Sequence, residues 1–254
     1  MISYQTLSQS QTRRRTVSKP QFVGFVTDMI VPAEGPPPRP QAFLVEQQAD
    51  WTLPSHFHQE HQFQLFVAGG GTIGRNPIPP LAVHYASPHT GYGPLMSGHG
   101  GLSYLTLRAV GDTGAWYLPE RHESNLRISK RQVHGAPAQQ MTIDAVAALP
   151  EPLQESLIAA EPDGLAAWLL RMPAAAFADE PPGADTGGGR FYVVTQGSLR
   201  LPDAEVEALA TIWVGASSAL PLQAGGAGAE VVVLQFPAVA SSSFIEAMKL
   251  PPLP

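Results

Sequence analysis

The sequence predicts an all-β protein built from two antiparallel β-barrels that follow each other along the chain. Gly and Pro, which interrupt helices, account for 24 and 26 of the 254 residues. The apolar residues come in runs of four to seven bounded by Gly, Pro or Asn, a pattern typical of many short strands. These runs occur in two successive sets, and each set is large enough to form one barrel.

The first set of apolar runs extends from Gln21 to Arg108 and predicts the strands of the first barrel. Segments rich in Gly and Pro separate the runs and are too short for helices. The runs are Ala42–Glu46, His61–Ala68, Leu81–Ala86 and Leu102–Arg108. From Trp116 to about Pro152 the periodicity weakens, and we interpret this stretch as a connector that crosses the surface.

The second set of runs predicts a second group of strands. These runs are Leu165–Met172, Arg190–Thr195, Thr211–Gly215 and Glu230–Phe236. Ser243 and Glu246 have the spacing of a capping box, which predicts a short terminal helix over Phe244–Lys249.

Three short matches, found in the same order, indicate that the second set repeats the first. The matches pair Val67–Ile73 with Val194–Leu199, Ala42–Val45 with Ala167–Leu170, and Gly101–Leu107 with Gly228–Leu234. We favour a tandem repeat over one long irregular sandwich. The predicted organisation is a polar tail at 1–20, an N-terminal barrel at 21–120, a connector at 121–152, a C-terminal barrel at 153–240, and a short helix and tail at 241–254.

The composition excludes several classes of site. Because the chain has no Cys, it cannot form a disulfide, a cysteine nucleophile or a thiolate metal site, and His, Asp, Glu and Gln are the available ligands. A formal charge of −6 argues against nucleic-acid binding, and we expect the basic residues Arg13–Arg15 to lie in a solvated tail. Apolar residues form 44% of the chain and charged residues 14%, which favours a folded core.

No run of about 20 consecutive apolar residues is present, so we expect no membrane-spanning helix. The first 20 residues are rich in Ser, Gln and Thr and lack the apolar run of a secretory signal. The expected location is therefore the cytoplasm.

The segment from Pro54 to Gly69 carries the pattern with the clearest chemistry. In an extended strand the side chains of alternate residues share a face, so His56, His58, Glu60, Gln62 and Gln64 are expected to point one way. Two neutral imidazoles on one face can converge on one metal ion, and an oxygen donor on the same face can complete the site.

This segment resembles the first motif of the cupin superfamily: His-x-His, then Glu, then Gly at fixed spacing. His56, His58 and Gly69 match the motif, while Gln62 stands where the family has Glu. Glu60 shares the predicted face and is an alternative oxygen ligand. The odd position of His61 favours the outer face.

The second motif of the family, Pro-x-Gly-x-x-His, has a poor counterpart in Pro88–Gly93. A literal match places Gly93 at the histidine position, so either His84 or His89 is the candidate third ligand. We place His99, His122 and His134 in loops without an identifiable partner.

In the second half, counting back from Gly197, the ligand positions hold Ala184, Thr186 and Arg190. The resemblance therefore implies two cupin barrels of the double-stranded β-helix or jelly-roll kind, of which the second has lost its ligands. If Arg190 points into that barrel, it could pair with a carboxylate of a substrate or of the protein; otherwise it is a solvated edge residue.

The resemblance implies two functions from different classes. In the first, a divalent ion (Fe, Ni, Mn or Zn) held by His56, His58, Gln62 and either His84 or His89 supports oxygenase, lyase or isomerase chemistry. In the second, the pocket binds or senses a small metabolite without a required metal. The residues predicted to line the pocket are Gln64, Tyr85, Tyr92 and Tyr104. The expected partners are a small-molecule ligand and a second copy in a homodimer, with no nucleic acid and no membrane.

Overall fold

The fold is almost entirely antiparallel β-structure. The computed structural model describes residues 1–32, 39–112, 114–183 and 187–238. The predicted helix Phe244–Lys249 and the ligand-position residues Ala184 and Thr186 lie outside these ranges. No helix among the described residues is long and apolar enough to cross a membrane.

Nineteen strands are present in the described part of the chain. They are β1 Ile2–Gln5, β2 Arg14–Lys19, β3 Phe22–Ile30, β4 Gln41–Gln47, β5 Thr52–Leu53, β6 His56–Phe57, β7 Gln62–Ile73, β8 Asn76–Pro77, β9 Val83–Ala86, β10 Leu95–Arg108, β11 Trp116–Tyr117, β12 Gln132–His134, β13 Leu153–Ile158, β14 Ala166–Met172, β15 Phe177–Ala178, β16 Arg190–Leu201, β17 Ala204–Glu207, β18 Thr211–Val214 and β19 Leu222–Gln235. The helices are α1 Leu7–Ser10 and α2 Ile143–Ala147, with 3₁₀ turns at Gln11–Arg13 and His122–Ser124.

Two large sheets share the order of five strands, β9-β7-β10-β4-β3 in the first and β18-β16-β19-β14-β13 in the second, which confirms the predicted all-β fold with two related halves. The first runs β12-β9-β7-β10-β4-β3-β2, and the second runs β1-β18-β16-β19-β14-β13. The small strands also correspond, because β8 and β5 attach to the first sheet where β17 and β15 attach to the second. A separate two-stranded sheet, β6 with β11, carries the first histidine of the motif.

The chain start and the connector are more ordered than predicted. Residues 1–20, expected to be a solvated tail, contribute β1 to the edge of the second sheet and β2 to the edge of the first. The connector contributes β12, which covers the free edge of β9. Both segments pair exposed sheet edges, which are otherwise open to unwanted association.

The two sheets pack against each other through one shared apolar layer. Phe63 of β7 meets Phe236 with ring centroids 5.0 Å apart, and Phe236 also contacts Phe191 of β16. Because side chains alternate along a strand, the neighbours of these residues point into the separate barrel interiors. The layer therefore fixes which residues of β7 and β16 face inward.

The interior of the second barrel is filled by apolar side chains. Trp168, Leu170, Val194, Ile212 and Val233 belong to this cluster, and all are buried.

Arg190 is buried at one end of the second barrel and binds the protein's own Glu180, with Nη2 2.5 Å from Oε1. Its Nε donates to the hydroxyl of Tyr192 at 2.8 Å. Of the roles considered for Arg190, the structure shows the pairing with a carboxylate of the protein.

Gly69 and Gly197 occupy equivalent turns in the two barrels, and neither tolerates a side chain. Gly69 has φ +73°, and a Cβ atom there would lie 2.2 Å from the carbonyl oxygen of Gly101. Gly197 has φ +68°, and its Cβ would lie 2.0 Å from the carbonyl oxygen of Gly228. The repeat therefore preserves a close crossing of two backbones in each barrel.

Gly69→Ala is expected to lower the free energy of unfolding by about 1–3 kcal/mol, through the unfavourable φ and the contact with Gly101. Gly70→Ala is the matched control, because a Cβ at Gly70 meets no atom within 4 Å. Urea unfolding followed by circular dichroism compares the two. Equal midpoints for the two variants would contradict the requirement for glycine at position 69.

Candidate functional site

A polar site lies inside the first barrel, at the end where β7 begins and β10 ends. Gln62 and Gln64 point inward from β7, and Arg108 is the last residue of β10. Next to them, His56 is held by two backbone hydrogen bonds with Tyr92, His56 N to Tyr92 O at 3.1 Å and Tyr92 N to His56 O at 3.0 Å. The predicted inward face of Gln62 and Gln64 is thus observed, although residues 58–61 form a loop between strands β6 and β7.

The hydrogen bonds of His56 fix its tautomer. Its Nδ1 lies 2.8 Å from the carbonyl oxygen of Pro54, which can only accept, so Nδ1 carries the proton. The unprotonated Nε2 accepts from the hydroxyl of Tyr92 at 3.1 Å. Burial, followed by the charges of His58 and Arg108, lowers the pKa of His56 to about 3, so this imidazole is neutral at pH 7.

His58 forms a buried pair with Asp112. The distance from Nδ1 of His58 to Oδ2 of Asp112 is 2.6 Å, and both side chains are less than a tenth exposed. Burial lowers the pKa of His58 more than the hydrogen bond to Asp112 raises it, so this imidazole is also neutral. Asp112 therefore orients the ring by accepting its Nδ1 proton.

Arg108 places a fixed positive charge among these groups. Its Nε and Nη2 lie 3.0 and 2.5 Å from Oε1 of Gln62, and its Nη1 lies 2.6 Å from Oε1 of Gln41. The guanidinium also lies against the ring of His58, with Nη2 3.1 Å from Nδ1 and 3.5 Å from Nε2. Arg108 is 2% exposed, and the carboxylate of Asp112, 3.7 Å away, balances its charge.

The remaining donor of Gln62 closes the network. Its Nε2 donates to the hydroxyl of Tyr92 at 2.6 Å, and that hydroxyl donates to His56. Burial raises the pKa of Tyr92 above its usual value, so the phenol remains protonated. His56, Tyr92, Gln62, Arg108 and His58 thus form a continuous buried chain of contacts.

The expected metal ion does not fit these residues. The Oε1 atom of Gln62 accepts from Arg108, and Nε2 of His56 accepts from Tyr92, so both donor atoms face hydrogens of the protein. A divalent ion at His58 would also meet the guanidinium of Arg108 within a few ångströms, where like charges repel. Within the described ranges, no group of three His, Cys, Asp or Glu side chains is arranged to hold a metal ion.

The structure separates the two histidines proposed as third ligands. His84 is buried beside Tyr92, with ring centroids 4.8 Å apart, and its Nδ1 lies 2.9 Å from Oε1 of Gln64. His89 is buried elsewhere: its ring packs on Phe57, with centroids 5.4 Å apart, and its Nδ1 accepts from the amide of Leu126. His84 therefore borders the site, and the candidate role of His89 as a ligand beside His56 is wrong.

Tyr85 does not line the pocket, which corrects the prediction. Its ring packs against Phe63, with centroids 5.0 Å apart, in the layer between the sheets, and its hydroxyl lies 2.5 Å from Nδ1 of His61.

Glu60, the alternative oxygen ligand, does not line the cavity, and burial raises its pKa to about 7. Of the other histidines expected in loops, His99 lies in β10 beside Asp50, and His134 lies in β12.

The site opens into a cavity of ≈270 Å³ in the first barrel. The predicted pocket residues Gln64, Tyr92 and Tyr104 line it. Sequence reasoning missed Gln41, Thr106, Arg108, Asp112 and Tyr117, which also line it. The alternation of Tyr104, Thr106 and Arg108 along one apolar run was the signal that could have revealed three inward-facing polar groups on β10.

No protein-family model matches the chain, and no curated protein matches its sequence. Several solved structures match its fold. A candidate dioxygenase of Nostoc punctiforme is 11% identical with a TM-score of 0.61, over 95% of this chain and 85% of that one. The pirin YhhW of Escherichia coli, in complex with nickel(II), is 10% identical with a TM-score of 0.59, over 94% and 100% of the two chains.

The oxalate decarboxylase of Bacillus subtilis, which has Mn(II) centres, is 12% identical with a TM-score of 0.52, over 94% of this chain and 81% of that one. Likeness at these identities establishes a shared fold over nearly the whole chain. It does not transfer the metals or the reactions of those proteins to the residues of this site.

Proposed function

We propose that this chain, which has the fold of the cupin proteins that it resembles, binds a small organic molecule in its first barrel without a metal ion at His56 and His58. The observation that carries this proposal is the position of Arg108. Its guanidinium contacts Gln62 and His58, two of the side chains that the family resemblance would assign to the metal. A fixed positive charge thus lies where the metal ion was expected, which supports the metal-free alternative of the sequence analysis.

The charges that line the cavity favour an uncharged ligand. Arg108 lies 3.7 Å from the carboxylate of Asp112, and Arg15 forms an ion pair with Asp28. Each positive side chain is therefore balanced by a neighbouring carboxylate. A charged ligand would lose its hydration without gaining an unbalanced partner of opposite charge.

The aromatic and polar side chains of the walls favour a flat ligand that carries hydroxyl or carbonyl groups. Phe22, Phe43, Tyr104 and Tyr117 supply aromatic surfaces, while Gln64 and other neutral polar groups supply hydrogen bonds. Such a mixture of apolar walls with a few polar groups is typical of small-molecule sites. We therefore infer that the ligand is an uncharged aromatic compound or one of similar shape.

Binding of uncharged phenols tests this function. We expect catechol and 4-hydroxyacetophenone to bind and 4-hydroxybenzoate to bind at least about tenfold more weakly, because the carboxylate finds no unbalanced cation in the cavity. Isothermal titration calorimetry on the tag-free protein measures the three affinities. Preferential binding of 4-hydroxybenzoate would contradict the charge argument, and binding of none of the three would contradict the ligand class.

Two variants locate the binding in the cavity. Thr106→Trp fills the cavity and is expected to abolish phenol binding, whereas Thr52→Trp, at an exposed position, is its matched control. If Thr106→Trp fails to fold, Tyr117→Ala removes one aromatic wall and is expected to weaken binding. Retained affinity in the folded cavity variant would place the ligand elsewhere.

The metal-dependent alternative is tested by metal analysis of the wild type and of the His56→Ala, His58→Ala double variant. Equal metal content in the two proteins is expected. A stoichiometric ion that is present in the wild type and lost from the double variant would overturn the metal-free function.

A further inference from the structure

We propose that His84 and His134, with Gln132 and Asn76, form a separate site for one divalent late transition metal ion, such as Zn²⁺ or Cu²⁺. The site lies at the edge of the first sheet, where β12 of the connector covers β9. It includes His134 and Asn76, neither of which lines the cavity of the proposed ligand. It is independent of the phenol-binding function.

The sheet register brings the two imidazoles together. His134 lies directly opposite His84 in the antiparallel pair of β12 and β9, so both side chains project from the same face. Their ring centroids are 4.9 Å apart, with the ring planes 35° from parallel. Two histidines that face each other across neighbouring strands can bind one ion without a change of the backbone.

Each histidine turns its Nε2 atom toward the same small space. Nδ1 of His84 lies 2.9 Å from the amide oxygen of Gln64, which accepts its proton and leaves Nε2 with a free lone pair. Nε2 of His84 and Nε2 of His134 lie 3.1 and 3.3 Å from one atom, Nε2 of Gln132. Burial lowers the pKa of both histidines, in agreement with neutral rings.

Two side-chain amide groups approach the same nitrogen atom of His134. Nδ2 of Asn76 lies 3.1 Å from Nε2 of His134, which Gln132 also approaches. One imidazole lone pair cannot accept well from two donors. If both amides turn to present their oxygens, an ion among them receives two imidazole nitrogens and two amide oxygens, a donor set suited to Zn²⁺ or Cu²⁺.

The surroundings permit entry and include no competing cation. Asn76 is exposed and His134 is half-buried, and both border a mainly apolar second cavity of ≈530 Å³. Among the described residues that line this cavity, none is Lys or Arg. This distinguishes the site from His58, which lies against the guanidinium of Arg108.

Titration of the tag-free protein with Zn²⁺ alone tests the site. We expect the wild type to bind one ion, and His134→Ala to bind it at least about tenfold more weakly. His99→Ala, which removes an exposed histidine that pairs with Asp50, and the His56→Ala, His58→Ala double variant are expected to bind as the wild type does. Calorimetry measures stoichiometry and affinity, and circular dichroism checks the fold of each variant.

Three results would overturn the site: no Zn²⁺ binding by the wild type, unchanged binding by His134→Ala, or loss of binding in the His56→Ala, His58→Ala variant. Should His134→Ala fail to fold, Asn76→Ala removes an exposed ligand and is expected to weaken binding less strongly. With Cu²⁺ as the probe, paramagnetic resonance is expected to show two imidazole nitrogens on the ion in the wild type and one in the His134 variant. Two nitrogens that persist after replacement of His134 would also contradict the assignment.

Discussion

Arg171→Met is expected to lower the free energy of unfolding by about 3–5 kcal/mol, because it leaves the carboxylate of Glu230 buried without its cation. Nε of Arg171 lies 2.8 Å from Oε2 of Glu230, and both side chains are 1% exposed. Arg171 also binds Glu155 and the backbone oxygen of Gln139, so it ties β14 to β19, β13 and the connector. Denaturant unfolding gives the free energy.

Arg14→Met is the matched control for this prediction. The pair of Arg14 and Glu46 has a similar distance, 2.9 Å, but each side chain is 33% exposed, so its loss is expected to lower the free energy of unfolding far less than the loss of Arg171 does. The double variant Arg171→Met, Glu230→Met removes both buried charges and is expected to recover much of the lost stability. Equal decreases in the free energy of unfolding for Arg171→Met and Arg14→Met would contradict the prediction that the buried ion pair contributes more to stability than the exposed one.

The two barrels place Arg and Gln at equivalent strand ends in opposite order. Gln62 begins β7 and Arg108 ends β10 in the first barrel, while Arg190 begins β16 and Gln235 ends β19 in the second. In the second barrel Arg190 stands at the carboxylate position of the motif, whereas in the first barrel Arg108 contacts Gln62, the residue at that position. In the second barrel apolar side chains fill the remaining space, whereas the first retains a cavity beside its arginine.

The strands were predictable because their signals are local. Apolar runs bounded by Gly or Pro gave four strands in each half, and the glycines at 69 and 197 marked equivalent turns. The segments 1–20 and 132–134 were not recognised, since an edge strand needs little apolar character and its partner can be remote. Ile2, for example, pairs with Val214.

The polar contacts of the site were predictable mainly where they come from one segment, although Tyr92 and Tyr104 were also predicted as pocket residues. His56, His58 and Gln62 come from one segment, but Arg108 reaches Gln62 from 46 residues away and Asp112 reaches His58 from 54 residues away. Tyr85 was predicted to line the pocket but packs in the layer between the sheets, and all four residues of its strand, β9, are buried. Polarity therefore does not show which face is the barrel interior.

Gln62→Glu combined with Arg108→Met is expected to create a metal site that the natural sequence lacks. The pair of changes removes the fixed cation and places a carboxylate beside His56 and His58, with Asp112 still adjacent to His58. In a His134→Ala background, which removes the edge site, we expect one Mn²⁺ or Ni²⁺ ion to bind at least about a hundredfold more tightly than in the parent.

The single variant Gln62→Glu is the control for the double variant Gln62→Glu, Arg108→Met. Nε and Nη2 of Arg108 already point to Oε1 of Gln62, at 3.0 and 2.5 Å, so a carboxylate there is expected to form a bidentate ion pair and still exclude the metal. Calorimetry with Mn²⁺ separates the two variants. If the single variant binds Mn²⁺ as tightly as the double variant, the guanidinium of Arg108 does not exclude the metal ion. The lack of a carboxylate at position 62 would then be the reason that the natural site does not bind the ion. If neither variant binds Mn²⁺, the hydrogen bond from the Tyr92 hydroxyl to Nε2 of His56 prevents coordination more strongly than Arg108 does. Adding Tyr92→Phe to the double variant is then expected to produce Mn²⁺ binding.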